Sequence, residues 1–589
     1  MNLSSLLKPV SESLAQAAGR RSRQPRHTLI GAGDNAKPAV IAALARDAEG
    51  PVLIVVPKSA RMQDLYEELG TWLGPEDGRR LRFYPERDML PYERATEDPW
   101  DVRTRLETLA ALHGDGDAGR PIVIATAEGI AQRTLSPEAM RDAVSRIDTS
   151  TRMEPEALLR RLQQAGYEIV SLVEAPGQAA RRGGIVDVFP PQADSPARIE
   201  FFGPEVESVR LFDVATQRSR ERVGSIDLGA ASEFSPDAAM ARELLHSLDF
   251  GAAGEETEES IREELNAIAH GESVAGPSFL PGLLSPYTLI DHLPDNATVV
   301  LDDPNDLSRA LDEYVAETAT MRIEREARGQ LPIGLPAAQA NWSELQPRLL
   351  ALKVVELSRF STEEGGAIRP PFSPAPGFGG RVRILARDLA EMTRKGDAVV
   401  IVSQQASRLQ SLLADEGLPV RTIDDAPDGF EAGVIQLLKG SLPHGWSFHS
   451  EQIRGLKPPA SMMLVLTDAE IFGFVKQRRA LRQSGADRSG LIADLTPGDY
   501  VVHLEHGIGR FAGMVVRDVE GIQKEFLELT YAQGDRLFVP VDQSDRVARY
   551  VGPGDHRPDL TRLGSGEWTR TRERVRRAVA DVARDLLDL

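Results

Sequence analysis

The chain has 589 residues, enough for roughly four domains, and its 69 basic and 89 acidic residues give a net charge of −20. A uniformly acidic surface repels nucleic acid, so any DNA contact must be a local basic patch. Cysteine is absent, which excludes disulfides and cysteine-ligated zinc and favours a cytoplasmic protein. No stretch approaches the roughly 18 apolar residues that a membrane span requires.

Residues 1–28 combine spaced apolar side chains with a basic end. Leu3, Leu6, Leu7, Val10 and Leu14 predict an amphipathic first helix. The arginines that follow also give the segment a likeness to a transit peptide, but the helical interpretation is favoured.

Residues 1–149 have the pattern of an α/β domain. The continuous apolar runs at 52–56 and 122–125 are typical of strands buried on both faces, and a helical pattern lies between them. Residues 31–38 form a turn that follows a strand and precedes a helix. That is the position in which a phosphate-binding loop would lie.

The turn at 31–38 is a degenerate version of such a loop, with Gly31, Ala36, Lys37 and Pro38 at the diagnostic positions. A working loop has Gly, four residues, Gly, Lys and then Ser or Thr. Pro38 offers neither a hydroxyl for magnesium nor an N–H for a phosphate. We therefore expect a loop that has lost its nucleotide, and we nominate no catalytic residue, no cofactor and no metal site in this chain.

From residue 150 the apolar period changes from helical to alternating. Residues 185–189, 197–202 and 206–212 alternate apolar and polar side chains, which predicts an antiparallel meander over 150–233. Parallel-sheet character returns in the segment 234–368, whose strand at 298–302 is expected to complete the first sheet.

The C-terminal part begins with a proline-rich segment, 369–377, which predicts a linker. A second α/β unit is predicted over 381–475, a linker over 476–492 and a glycine-punctuated β module over 493–555. Residues 565–589 predict an amphipathic basic helix. Three arginines of that helix are candidates for DNA contact: Arg570, Arg574 and Arg577.

Three sets of motifs resemble one family. Residues 181–190 (RRGGIVDVFP), followed by 198–202, resemble the domain that UvrB shares with the transcription-repair coupling factors, the Mfd family. Residues 90–93 and 103–106 are similar to the first domain of that family. Residues 497–511 (PGDYVVHLEHGIGRF) resemble its RNA-polymerase-interacting module, which also occurs in CarD-type regulators.

The resemblance implies a multidomain α/β fold. It assigns 1–149 and 234–368 to a UvrB-like parallel-sheet domain (parts 1a and 1b) and 150–233 to an antiparallel α+β insert, domain 2, that binds UvrA. It makes 381–475 a second α/β unit, domain 3. Residues 493–555 then form a small Tudor-like β-barrel, followed by the basic linker helix.

The resemblance also implies two sets of binding residues. The positions that would contact UvrA are Arg182, Arg198 and Phe202, with a core position for Phe202 as the alternative. The positions that would contact the RNA polymerase β subunit are Met514, Val515, Val516, Arg517 and Ile522. ATP, Mg²⁺ and most double-stranded DNA contact would belong to a C-terminal translocase motor, whose motifs this sequence lacks; the chain is then a fragment or a short form.

These observations lead to one main hypothesis and two alternatives. The main hypothesis is a non-catalytic adaptor in transcription-coupled repair, which binds stalled RNA polymerase and recruits excision repair through UvrA. The first alternative is a DNA-dependent ATPase or helicase subunit of excision repair. The second is a transcription regulator that uses only the β module, which leaves most of the chain unexplained.

Overall fold

The computed structural model places the chain in two compact units, Met1–Gln477 and Arg478–Leu589. The residues that the structure describes are 2–19, 27–87, 90–94, 98–114, 120–143, 145–214, 216–272, 274, 277–359, 367–423, 431–453, 460–473, 498–503, 507–519, 522–540, 547–549 and 560–561.

The α-helices of the described residues all lie in the first unit. They are α1 (Leu7–Gly19), α2 (Lys37–Asp47), α3 (Ser59–Gly78), α4 (Pro99–Leu112), α5 (Ala127–Ala131), α6 (Pro137–Ala143), α7 (Pro155–Gln164), α8 (Ala238–Ser247), α9 (Glu255–Ala269), α10 (Leu280–Leu283), α11 (Pro304–Ala327), α12 (Trp342–Ala351), α13 (Val382–Arg394), α14 (Ala406–Asp415) and α15 (Asp468–Phe472). Within the described part of the chain, none of them combines the length and apolar character needed to cross a membrane.

The strands form four larger sheets and one strand pair. They are β1 (His27–Gly31), β2 (Val52–Val56), β3 (Leu81–Tyr84), β4 (Ile122–Thr126), β5 (Ser145–Asp148), β6 (Glu168–Ile169), β7 (Gln178–Arg182), β8 (Ile185–Val188), β9 (Ala197–Phe202), β10 (Glu205–Phe212), β11 (Ser219–Val223), β12 (Ser225–Leu228), β13 (Thr298–Asp302), β14 (Lys353–Ser358), β15 (Phe372–Pro374), β16 (Ala398–Ser403), β17 (Thr422–Ile423), β18 (Ile435–Lys439), β19 (Trp446–Ile453), β20 (Ala460–Thr467), β21 (Tyr500–His503), β22 (Gly507–Val519), β23 (Ile522–Thr530), β24 (Arg536–Pro540) and β25 (Val547–Arg549).

The first sheet is entirely parallel, in the order β1-β14-β13-β2-β4-β3. Strands β2, β4 and β13 are buried along their whole length, as continuous apolar runs require when helices cover both faces. The predicted return of the chain to this sheet is confirmed, because β13 lies between β2 and β14. The predicted first helix is also confirmed, since α1 is present and the five apolar side chains named for it are buried.

The second sheet is the predicted meander, in the order β11-β10-β9-β8-β7-β6. Adjacent strands in this sheet are antiparallel, except that β6 and β7 are parallel. One face packs apolar side chains such as Val186 and Ile199 against Leu158 and Leu162 of α7. The opposite face is the one that carries the candidate residues.

The third sheet is mixed, in the order β15-β19-β20-β16-β18-β17. Its edge strand β15 comes from the proline-rich segment, so the prediction of a linker is wrong for Phe372–Pro374. An edge strand tolerates Pro374 because one side of it needs no N–H donor. The ring of Phe372 holds the strand in place, with its centroid 5.0 Å from those of Trp446 and Phe448.

The second unit contains a five-stranded antiparallel sheet, in the order β24-β23-β22-β21-β25. Its small core includes Val501, Phe511, Leu529 and Tyr531. Gly509 of β22 passes so close to the Tyr531 ring that a Cβ atom there would lie 3.0 Å from the ring. The predicted β character of this module is therefore confirmed, and its strands continue to Arg549.

Candidate functional sites

The degenerate loop is closed by an internal ion cluster. Lys37, at the start of α2, is buried, and its Nζ lies 2.6 Å from Oδ1 of Asp302 and 3.3 Å from Oδ1 of Asp34. A third carboxylate, that of Asp303, also accepts a hydrogen bond from this Nζ. The lysine that a working loop would direct at a phosphate is thus held by acids from the end of β13.

The same cluster extends to α3. Nε of Arg61 lies 3.1 Å from Oδ2 of Asp302, and Nη1 of Arg61 lies 3.5 Å from Glu68. Burial by itself would lower the pKa of Lys37, but the Asp302 and Asp303 carboxylates outweigh it and raise that pKa. Burial raises the pKa of Glu68 to about 7, against the opposing effect of Arg61. The loop is therefore lined by carboxylates, which oppose the binding of a phosphate.

The three predicted UvrA-binding residues lie on one face of the second sheet. Arg182 pairs with Ile185, and Ile185 pairs with Glu200 on β9. Side chains alternate between faces along a strand, so Arg198 and Phe202, two residues before and after Glu200, share its face. This face is opposite to the one that packs on α7.

Arg182 and Phe202 lie at the same end of the sheet and project from hairpins. Arg182 is exposed and precedes Gly183, whose φ is +61°. Phe202 precedes Gly203, whose φ is +59°, and 78% of Phe202 is exposed. The alternative of a core position for Phe202 is thereby excluded. Exposed aromatic and arginine side chains at one end of a sheet are typical of the residues that contribute most to a protein interface.

Arg198 has a different environment. Its Nε and Nη2 each donate to Asp187 at 2.8 Å, and its guanidinium lies 4.9 Å from the centroid of the Phe212 ring. The hydrogen bonds to Asp187 raise the pKa of Arg198, against the opposing effect of burial. Only 15% of the Arg198 side chain and 1% of the Asp187 side chain are exposed. Arg198 therefore connects β8 to β9 and is oriented by the sheet itself.

The predicted polymerase-binding residues lie on one hairpin of the second unit. Met514 of β22 pairs with Leu527 of β23, and 44% of it is exposed. Val515 is half-buried opposite Phe526. The backbone pairing continues along the hairpin through Val516, Arg517 and Ile522. The candidates Arg570, Arg574 and Arg577 lie outside the described residues.

Two groups were missed by the sequence-based reasoning. Asp302 and Asp303, the partners of Lys37, end a strand that was recognised, and a carboxylate at the end of a parallel strand was an available signal. Asp187, the partner of Arg198, occupies an apolar alternation as a buried acid, which also signals a paired charge.

Known protein families match the regions that contain the second sheet and the five-stranded sheet of the second unit. A family model described as the UvrB interaction domain matches residues 146–234, and one described as the CarD-like/TRCF RID domain matches residues 495–551. The chain is 28% identical to a transcription-repair-coupling factor of Bacillus subtilis over 611 residues, which cover 100% of this chain and 50% of that protein.

Two staphylococcal proteins of the same name are also similar. The one from Staphylococcus epidermidis is 27% identical over 87% of this chain and 44% of its own length. The one from Staphylococcus aureus is 26% identical over 96% of this chain and 48% of its own length. The chain thus spans about half the length of the curated relatives it matches.

Proposed function

We propose that this chain, whose sequence corresponds to the N-terminal half of transcription-repair coupling factors, is an adaptor in transcription-coupled DNA repair. It binds RNA polymerase stalled at a lesion and recruits the excision repair machinery through UvrA. The observation that carries the proposal is the exposure of Phe202 at the same end of the second sheet as the exposed Arg182, within the region that matches the UvrB interaction domain.

The UvrA contact is assigned to that end of the second sheet. Arg182 supplies planar donors for a carboxylate, and Phe202 supplies an apolar ring that a partner can cover. Arg198 has its guanidinium bound to Asp187, so its contribution is to hold β8 and β9 in register.

The polymerase contact is assigned to the β22–β23 hairpin, within the region that matches the CarD-like/TRCF RID domain. Met514 is an exposed apolar side chain there. We further propose that this module closes into a Tudor-like barrel and that it contacts the polymerase β subunit. ATP, Mg²⁺ and the DNA translocase activity belong to the remaining half of the family protein, which acts in the cytoplasm.

The ATPase alternative is disfavoured by the ion cluster around Lys37. A nucleotide phosphate there would displace Lys37 from Asp302 and would face Asp34 and Asp303 as well. The regulator that uses only the β module predicts polymerase binding without UvrA binding, and a bridging experiment separates it from the adaptor.

In that experiment, RNA polymerase is immobilised and UvrA is added with or without the chain. We expect UvrA to be retained only when the chain is present. An Arg182→Ala/Phe202→Ala variant should stay on the polymerase and release UvrA, whereas Met514→Asp should still bind UvrA in solution but leave the polymerase.

Ile323→Ala is the matched control, because Ile323 is also an exposed apolar residue (65%) but lies on α11 and not on either of the two sheets assigned to partner binding. It should behave like the unmodified chain. Retention of UvrA by the Arg182→Ala/Phe202→Ala variant would contradict the assigned contact, and polymerase binding without any UvrA binding would favour the regulator.

A further inference from the structure

A cavity in the first unit lies where the C-terminal end of α11 meets the segment 90–94. Its volume is about 470 Å³, and Tyr92, Arg94, Phe279, Arg325 and Arg328 are among the residues that line it. Among the described residues that line it, three are arginines and one, Glu324, is an acid. In a chain of net charge −20, this is a local excess of positive charge facing a space the size of a small-molecule site.

The three guanidinium groups are held in place by contacts that use part of their hydrogen-bonding capacity. Nη1 of Arg325 donates to the carbonyl oxygen of Tyr92 at 2.6 Å. Arg94 forms an ion pair with Glu264, and its Cζ lies 5.5 Å from the centroid of the Phe279 ring. Each guanidinium has five N–H donors, so the named contacts leave donors for a bound anion.

Arg328 lies at the rim, with Nη2 3.6 Å from Glu324 and most of both side chains exposed. An exposed pair of this kind is weak and can exchange Glu324 for another anion at little cost. The Arg94 side chain is also partly exposed (39%). Arg94 and Arg328 are therefore the groups that an entering anion meets first.

The floor of the cavity is rigid. Tyr92 and Phe279 are buried and pack edge to face with their ring centroids 5.9 Å apart. Tyr92 has a φ of 62°, a left-handed conformation that is costly for an aromatic residue. The hydrogen bond from Arg325 to the Tyr92 carbonyl holds this backbone, so the arginine and the strained residue fix each other. A floor that is already ordered lowers the entropic cost of binding.

We propose that this cavity binds a small phosphate-bearing molecule of about mononucleotide size. The planar, multi-donor arginine side chain suits phosphate oxygens, and the volume lies within the range of roughly 300–1,000 Å³ that small-molecule sites occupy. The phosphate belongs to a free nucleotide or to the end of a single strand, and the experiment separates these two sources. The cavity is distinct from the degenerate loop, whose lysine is bound by carboxylates.

The test is isothermal titration calorimetry of the whole chain with AMP, with inorganic pyrophosphate and with a short single-stranded oligonucleotide, in metal-free buffer. We expect AMP to bind with a Kd below roughly 1 mM. Arg94→Gln/Arg328→Gln should weaken this binding at least about tenfold, because two of the three guanidiniums are lost. If the oligonucleotide displaces AMP more effectively than pyrophosphate does, the strand end is the source.

Two control variants separate this cavity from other charged sites. Lys37→Met should leave AMP binding unchanged, which separates the cavity from the degenerate loop. Arg383→Gln is the control, since Arg383 of α13 is exposed and forms an ion pair with Glu416, 3.3 Å away at the end of α14, and Arg328 likewise forms an exposed ion pair with Glu324. Arg328→Gln alone, at the rim, serves if the double variant does not fold.

The proposal is overturned if none of the phosphate probes binds the folded chain at millimolar concentration. It is also overturned if AMP binds the arginine variants as tightly as the unmodified chain.

Discussion

The assignment of Arg198 as a residue that orients the UvrA surface, rather than one that contacts UvrA, gives the most discriminating prediction. Arg198→Ala removes both hydrogen bonds to Asp187 and leaves that carboxylate, 1% exposed, without its cation. Breaking a buried pair costs about 3–5 kcal/mol. Because 15% of the arginine side chain is exposed, we expect the lower end of that range, about 3 kcal/mol.

The assay is hydrogen exchange of the whole chain, combined with UvrA binding. A loss of about 3 kcal/mol raises the population of the locally opened state by roughly 100-fold, so amide protection in β8 and β9 should fall by about that factor. UvrA affinity should fall with it, because Phe202 follows Arg198 on β9. Arg182→Ala is the counterpart: protection should be unchanged while UvrA affinity falls.

The double variant Asp187→Leu/Arg198→Met separates orientation from contact. Replacing a buried ion pair by apolar side chains of similar size is often neutral or stabilising, and the methionine side chain introduced on β9 would still pack on Phe212. We therefore expect near-normal protection and UvrA binding within about threefold of the unmodified chain. A double variant that regains full protection but still fails to bind UvrA would contradict the orienting role and make Arg198 a contact residue.

Three further predictions concern stability, each measured by urea unfolding of the first unit. Lys37→Met should destabilise it by about 3 kcal/mol, the lower end for breaking a buried pair, because the buried Asp302 loses one of its two cations and keeps only Arg61; an unchanged midpoint would contradict the role of the ion cluster. His292 is buried, and its ring nitrogens lie 2.9 Å from Nε2 of His113 and from the carbonyl oxygen of Leu135. Burial lowers the pKa of His292 to about 4, so the unfolded state takes up the proton first as pH falls below about 6.5, and stability should drop by about 2 kcal/mol between pH 7 and pH 5. His292→Gln should remove most of that drop. A variant whose stability falls with pH as much as that of the unmodified chain would contradict the role of His292. Burial raises the pKa of Glu68 to about 7, so ionisation of the buried carboxyl destabilises the folded state as pH rises from about 4.5 through 7. Glu68→Gln should therefore stabilise the chain by roughly 2 kcal/mol more at pH 8 than at pH 5. Equal effects at both pH values would contradict this pKa shift.

Several strands and much of their grouping could be predicted from the amino-acid sequence alone. The apolar runs of β2 and β4 predicted buried parallel strands, because a strand covered on both faces has no polar side to expose. The break between the predicted strands 197–202 and 206–212 indicated a hairpin after Phe202. The period of two then placed Arg198 and Phe202 on one face, since alternation along a strand is a local property.

Which charged side chains form pairs could be seen only in the folded structure. Lys37 and Asp302 are separated by 265 positions in the chain, and they meet because β13 returns to the first sheet. Arg198 could have faced a partner, but the pairing of β8 with β9 places Asp187 opposite it and the chain beyond β9 brings Phe212 under it. The proline-rich segment became β15 because the third sheet offered an edge and aromatic side chains for Phe372. Local patterns fix how a segment presents its side chains, whereas partners depend on which segments the whole fold brings side by side.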